Sequence, residues 1–246
     1  PRASTFPVIE GDPTVQLFGA GFMITFTEVA TDLDDNFNEW YNREHLDERI
    51  DLPGFRRARR YESLDGGIRY MSTYECEDPG DIGSPTYLDV VAKSSPWSQQ
   101  IMPNFTRWHR MVARVVADST HGMGSYLTLA RFFPAPSETA ALETWLRSGV
   151  LDEIASRERV VGVCAVAVVP EFDARLTRAF GQEPDPDQIP EWGVLIEGTD
   201  PDTIRTVAQD ALAARLQSEA MAGTTPVFET YRFLYGNQRL SDTEKA

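Results

Sequence analysis

The sequence has little that would tie it to a metal, a nucleotide or a disulfide framework. Its 246 residues include 2 cysteines and 3 histidines. Cys76 and Cys164 stand far apart, each inside an apolar strand-like run, which reads as two buried thiols in a reducing compartment. The histidines, His45, His109 and His121, show no metal-ligand spacing, so no metal is expected. There is no Gly-x-Gly-x-x-Gly after a strand, no phosphate-cradling glycine loop with Lys-Ser or Lys-Thr, and no Gly-x-Ser-x-Gly elbow. Nucleotide cofactors are thereby disfavoured, and the expectation is an enzyme with no cofactor. No apolar run reaches the roughly 18 residues of a membrane span. The longest, Val160 to Val169, suits a buried strand. The first residues lack the basic and apolar regions of a signal peptide, so the expected location is cytoplasmic, with no membrane partner. Positive charge is also scarce: 23 Lys and Arg against 38 Asp and Glu give a net charge of −15. An acidic surface repels phosphate backbones, which argues against nucleic acid.

What is present is an internal repeat. Asn38-Glu39-Trp40 through Leu46-Asp47-Glu48 aligns with Glu143-Thr144-Trp145 through Leu151-Asp152-Glu153 at a constant offset of 145 − 40 = 105. The same offset sets Gly19 on Gly124, each just before an apolar run. The order of elements repeats as well. In the first copy, Phe22 to Val29 reads as a strand and Leu33 to Arg49 as a helix with Thr31 or Asp32 as N-cap. Strands over Phe55–Glu62 and Ile68–Cys76, a short helix over Tyr87–Ala92 and a strand over Trp108–Val116 follow. In the second, Tyr126–Phe133 is a strand and Glu138–Arg157 a helix. Strands Val160–Val169 and Trp192–Ile196, an amphipathic helix Pro201–Ser218 and a strand Val227–Tyr235 complete it. A polar, proline-rich insert spans about 173–188. Each copy is thus β-α-β-β-α-β, a ferredoxin-like unit. The fold class is α+β: two tandem units, 16–118 and 119–237, closing into one α+β barrel between a flexible arm (1–15) and a tail (238–246). The space between the two sheets is the expected small-molecule site.

The stretch Phe37-Asn38-Glu39-Trp40-Tyr41-Asn42-Arg43-Glu44-His45-Leu46, followed by Leu52-Pro53-Gly54-Phe55 and the basic strand Arg56-Arg57-Ala58-Arg59-Arg60-Tyr61, resembles the signature of EthD-like proteins of the dimeric α+β barrel superfamily. The resemblance implies a range of chemistries: cofactor-free monooxygenases, lactone isomerases, dehydrochlorinases, polyketide cyclases and haem enzymes related to chlorite dismutase. It also implies a barrel usually made by dimerisation, here fused into one chain, with a further homodimer left open. In the haem relatives the resemblance would put an axial histidine in the second half, and no histidine follows Met123.

On an ideal helical wheel Leu33, Phe37, Trp40 and Tyr41 form the apolar face, Glu44 falls near its centre and His45 on its flank. A carboxylate on an apolar face is paired or raised in pKa, and beside a histidine it makes a proton-transfer set. The plainer alternatives are a pairing of Glu44 with Arg43, Arg56 or Arg59, and His45 as a cap of the last helical turn. The second copy puts Leu146, Gly149 and Val150 where the first has Tyr41, Glu44 and His45. His109, grouped by strand alternation with Met111, Ala113 and Val115, could reach the same cavity. Phe37, Trp40, Tyr61 and Trp108 are candidates for its lining. Arg59, in the cluster with Arg56, Arg57, Arg60 and Arg69, is a candidate dock for an anionic or phenolic substrate, against the plainer reading of a solvated strand face. The expected function is proton-transfer chemistry (lyase, isomerase or cyclase) on a small aromatic or polyketide-like molecule. Cofactor-free oxygenation of an activated phenol, or ligand binding without catalysis, are the alternatives.

Overall fold

Alternation of side chains along Gly21–Val29 (β1) sends Phe22, Ile24 and Phe26 to one face and Met23 and Val29 to the other. Both faces are buried, because one meets a second sheet and the other meets helices. The same division runs through the strands β2 (Phe55–Ser63), β3 (Tyr70–Cys76), β4 (Phe105–Asp118), β5 (Tyr126–Phe132), β6 (Val160–Val168), β7 (Trp192–Gly198) and β8 (Val227–Gln238). In the computed structural model, which describes residues 17–186, 188–213, 216 and 226–239, these strands pair antiparallel and close into a barrel in the order β1-β3-β2-β8-β5-β7-β6-β4.

The order β4-β1-β3-β2 in one half matches β8-β5-β7-β6 in the other, and the halves join through β4–β6 and β2–β8. Register matches too. Gly21 and Phe55 both pair with Cys76, as Tyr126 and Val160 both pair with Gly198, and β2 and β6 each carry a bulge just after that row. Gly19 and Gly124 play one role. A Cβ on Gly19 would stand 2.2 Å from the Cys76 carbonyl oxygen, and one on Gly124 would stand 2.4 Å from that of Gly198. Each half is a ferredoxin-like unit, and together they form an α+β barrel.

The helix expected over Leu33–Arg49 starts with a 3₁₀ turn at Thr31–Leu33 and has no side-chain cap. It runs as α1 (Asp34–Trp40), a π-helical turn (Tyr41–His45) and α2 (Leu46–Ile50). Its counterpart is α5 (Thr139–Trp145) and α6 (Leu151–Ala155), joined through Leu146–Val150, where Gly149 at φ +93° kinks the helix in place of the π turn. After β3 come α3 (Pro85–Ala92) and α4 (Pro96–Ile101). Each opens with a serine N-cap and a proline, a signal that the sequence reading missed for α4. The insert of the second half is not all irregular: Pro170–Ala179 is a helix, α7, whose Leu176 packs into the core of the first half. Helix α8 (Pro201–Ala208) continues into a π turn at Gln209–Ala213. The proposed arm, 1–15, and most of the tail lie outside the described residues. Strand β8 carries on through Gln238, past the expected end at Tyr235.

The barrel interior corrects the expectation of a central cavity. Phe22, Ile24, Phe26, Met71, Met111 and Leu129 meet there in one buried cluster. Large apolar side chains at every second position of facing strands fill the middle of that interior. The other place where the fold can hold a ligand is between sheet and helices.

Candidate active site between helix and sheet

A pocket opens on the outer face of the first half's sheet, under the helix that carries the Trp40–His45 stretch. Strands supply Thr25, Tyr74, Trp108 and Arg110, the helix supplies Trp40, Tyr41, His45 and Arg49, and Phe180 closes it from the second half. It measures about 50 Å³ as it stands. Two larger clefts, about 320 Å³ beside α7 and about 240 Å³ at one barrel mouth, are walled by prolines with acidic groups and by already paired arginines respectively. Chemistry, not size, favours the first.

The π turn decides which polar side chain enters it. One extra residue in a turn rotates everything beyond it by about 100°. The ideal wheel put Glu44 on the apolar face; the extra residue puts His45 there. His45 is 8% exposed. Its ring stacks on Trp40 at 4.1 Å between centroids and meets the edge of Tyr41 at 5.0 Å. A Glu48 carboxylate oxygen lies 3.8 Å from Nδ1, which has no hydrogen-bond partner among the described residues. Burial, reinforced by the guanidinium charges of Arg49 and Arg60, holds the imidazole well below its usual pKa. Both causes favour the neutral imidazole.

Glu44 does not reach the pocket. Its carboxylate accepts hydrogen bonds from Ser95 Oγ and, at 3.5 Å, from Ser98 Oγ, at the start of α4. Ser98 Oγ in turn accepts the Trp40 indole N–H at 3.1 Å. Glu44 thus anchors the tryptophan that carries the histidine. Trp40, Tyr41 and Trp108 line the pocket, while Phe37, fully buried behind Tyr41 at 5.0 Å between ring centroids, belongs to the core.

His109, Tyr61 and Arg59 stand elsewhere, because alternation turns them into the barrel. His109 donates or accepts a 2.6 Å bond with Glu191 and stacks on Phe26, so it and His45 lie on opposite faces of the sheet. Tyr61 is fully buried against Phe233, and burial pushes its phenol pKa up. Arg59 is 2% exposed and bonds Glu197 at 2.6 Å and Glu75 at 3.3 Å, so it is not a solvated face but a buried, paired group on the wall of the barrel-mouth cleft. Arg57 pairs with the same Glu75 at 2.7 Å. Arg60 points the other way, to the helix, over the Tyr41 ring at 4.0 Å and hydrogen-bonded to Asn38 and Asn42. Only Arg56 and Arg69 of that cluster keep appreciable exposure, and both are paired.

Sequence reasoning missed Thr25, Arg49, Tyr74, Arg110 and Phe180. Arg110 alternates with His109 and so had to face the helices once His109 faced inward. Phe180 had no local signal, since it arrives on a helix from the other half. Among the described residues no group of three or more His, Cys, Asp or Glu side chains is placed to hold a metal ion, and both cysteines are free and buried. No described helix is long and apolar enough to cross a membrane.

No family model and no curated protein matches the chain. Solved structures do. A "putative monooxygenase" from Lactobacillus acidophilus superposes with a TM-score of 0.57 at 7% identity, covering 89% of this chain and 96% of that one. An "anthrone oxidase-like protein" gives 0.56 at 11%, covering 89% and 92%. A "putative monooxygenase" from Fusobacterium nucleatum gives 0.56 at 8%, covering 91% and 96%. The fold is that of the dimeric α+β barrels. At these identities the likeness establishes the fold and leaves the activity to be argued from the site.

Proposed function

We propose that the protein is a cofactor-independent enzyme that removes a proton from a small aromatic or polyketide-like molecule held between the helix and sheet of its first half. The EthD-like character of the Trp40–His45 stretch agrees with this reading. The observation that carries it is His45: a buried imidazole, kept neutral by burial and two arginines, on the wall of an aromatic pocket. A neutral imidazole is ready to act as a general base at pH 7. Trp40 and Tyr41 orient the ring, and the nearby guanidinium groups favour the anion formed when the substrate loses its proton. Phe180 and Trp108, both partly exposed, form the wall that must shift to admit an aromatic ring.

Two outcomes follow deprotonation. Return of the proton elsewhere on the substrate, or loss of a leaving group, gives isomerase, cyclase or lyase chemistry. Reaction of the carbanion or phenolate with O₂ gives oxygenation, which the names of the solved neighbours favour as the second reading. The test is a panel of phenols, β-dicarbonyl arenes and anthrone, incubated in D₂O and followed by mass spectrometry and an oxygen electrode. The proposal expects enzyme-dependent deuterium exchange or oxygen uptake with at least one class, lost in His45→Ala. Exchange that survives in His45→Ala removes the histidine from the chemistry. Saturable binding without exchange or uptake across the panel would make the protein a binder.

A further inference from the structure

Two of the arginines on the pocket wall are short of partners. Arg49 is 7% exposed, and no carboxylate lies within ion-pair distance of it among the described residues. Its guanidinium lies over the Tyr87 ring at 5.3 Å, and Nη1 has no hydrogen-bond partner. Arg110 is 9% exposed. Its Nε holds Asp173 at 3.2 Å and its Nη2 holds the Asp173 carbonyl and Thr177 Oγ1 on α7, while Nη1 is left unpartnered. Just behind the wall, Arg60 is a third buried guanidinium, bonded to asparagines and aromatic rings but to no carboxylate. A buried cation without an anion is costly, and a buried donor without an acceptor adds to the cost. A fold that only needed packing would not keep this arrangement. The second half shows the alternative, with Ala165 at the position of Arg60.

We propose that the substrate enters as an anion that carries a planar carboxylate beside the proton to be removed, and that Arg49 and Arg110 are the receptors of that carboxylate. This rests on the active-site reading above and sharpens it. Arg49 supplies the uncompensated charge. Arg110 links the anion to the second half, because the guanidinium that meets the ligand is the one that pins α7 and lies 5.7 Å from the Phe180 ring centroid. A neutral analogue of the same shape gains none of this.

The probe pair is benzoate and benzamide, nearly equal in shape and different in charge. Binding to the full chain is measured by titration calorimetry and by the shift in unfolding temperature. The proposal expects benzoate to bind about tenfold or more tighter than benzamide, the scale of a charged hydrogen bond. Arg49→Gln should abolish the difference, and Arg114→Gln, a paired surface arginine over the second half's Trp192, should preserve it. Since Arg49→Gln could weaken folding, the wild-type contrast stands as an independent test. Equal effects of the two probes, or no effect of either, overturn the proposal. Binding to His45→Ala separates the two readings. If benzoate preference survives there while turnover also survives, the anion receptor stands and the histidine base falls. If turnover depends on His45 but the probes bind alike, the reverse holds.

Discussion

The two halves share a skeleton and differ in what fills the space between helix and sheet. Both have the glycine before the first strand, the same strand register, a bulge on the second strand and a first helix interrupted at its middle, by a π turn in one half and by a kink at Gly149 in the other. In the first half that space holds Thr25, Tyr41, His45 and Arg60 around a pocket. At the equivalent positions the second half has Ala130, Leu146, Val150 and Ala165, which with Phe132, Leu142 and Ile196 help make a continuous apolar core. The apolar version is the cheaper way to hold helix on sheet, since each buried polar group needs a partner to offset its desolvation. One half therefore shows what the scaffold requires, and the other shows what has been added to it. The second half is not passive, because its α7 reaches across and closes the pocket with Phe180.

Single substitutions at matched positions can break this comparison. The largest effect is expected at His45. His45→Ala should lower kcat/KM by about 10²–10⁴, the usual contribution of a general base, while Val150→Ala should leave turnover unchanged. Steady-state kinetics on whichever substrate the exchange screen finds will show it. Loss of turnover in both variants would mean that the helix as a whole, not the imidazole, is required.

Stability should show the opposite pattern. Leu146→Ala, at a site 1% exposed, should cost about 2–5 kcal/mol in denaturant unfolding. Tyr41→Phe, which keeps the packed ring, should cost about 1 kcal/mol and act mainly on turnover. A Tyr41→Phe variant as unstable as Leu146→Ala would mean that the first half is an ordinary core.

The pH dependence sharpens the comparison further. His45 has a folded pKa below that of the unfolded chain, so between the two values the unfolded state binds more protons. The stability it permits is complete above about pH 6.5 and is lost as pH falls through that window, at a limit of about 1.4 kcal/mol per pH unit. His45→Asn should flatten that part of the stability profile. Arg60→Met should move the acid limb of the rate profile upward, toward an ordinary histidine. The smallest effect is expected at Phe180, whose exposure of 39% leaves it little packing to lose. Phe180→Ala should change KM for bulky substrates a fewfold, about 1 kcal/mol or less, with kcat nearly constant.

Much of the fold was legible because the repeat is. The Trp40/Trp145 and Gly19/Gly124 matches located the two units, and the repeated order of elements identified each as a ferredoxin-like unit. The site was legible only in part. His45, Trp40 and Tyr41 stood out by residue type and spacing. The exchange of Glu44 for His45 on the buried face depends on one extra residue in a helical turn, which hydrophobic periodicity averages away. The central cavity was wrongly expected because sequence gives the direction of strand side chains relative to each other, not the volume they fill when two sheets meet. Arg59 and Tyr61 do face the barrel interior, but there one is paired with Glu197 and Glu75 and the other is packed against Phe233. Phe180 and Asp173 are contributed by a helix from the other half, and no local pattern announces such a contact.

The most direct test needs no substrate. NMR titration of the His45 ring in the full-length protein, assigned by its loss in His45→Asn, reads the state of the imidazole on which the account depends. A midpoint clearly below 6.5, moving up in Arg60→Met, is the result expected of a dry base flanked by cations. A midpoint at or above 6.5 would mean a solvated or carboxylate-paired ring, and would contradict the assignment of the first half as the active one.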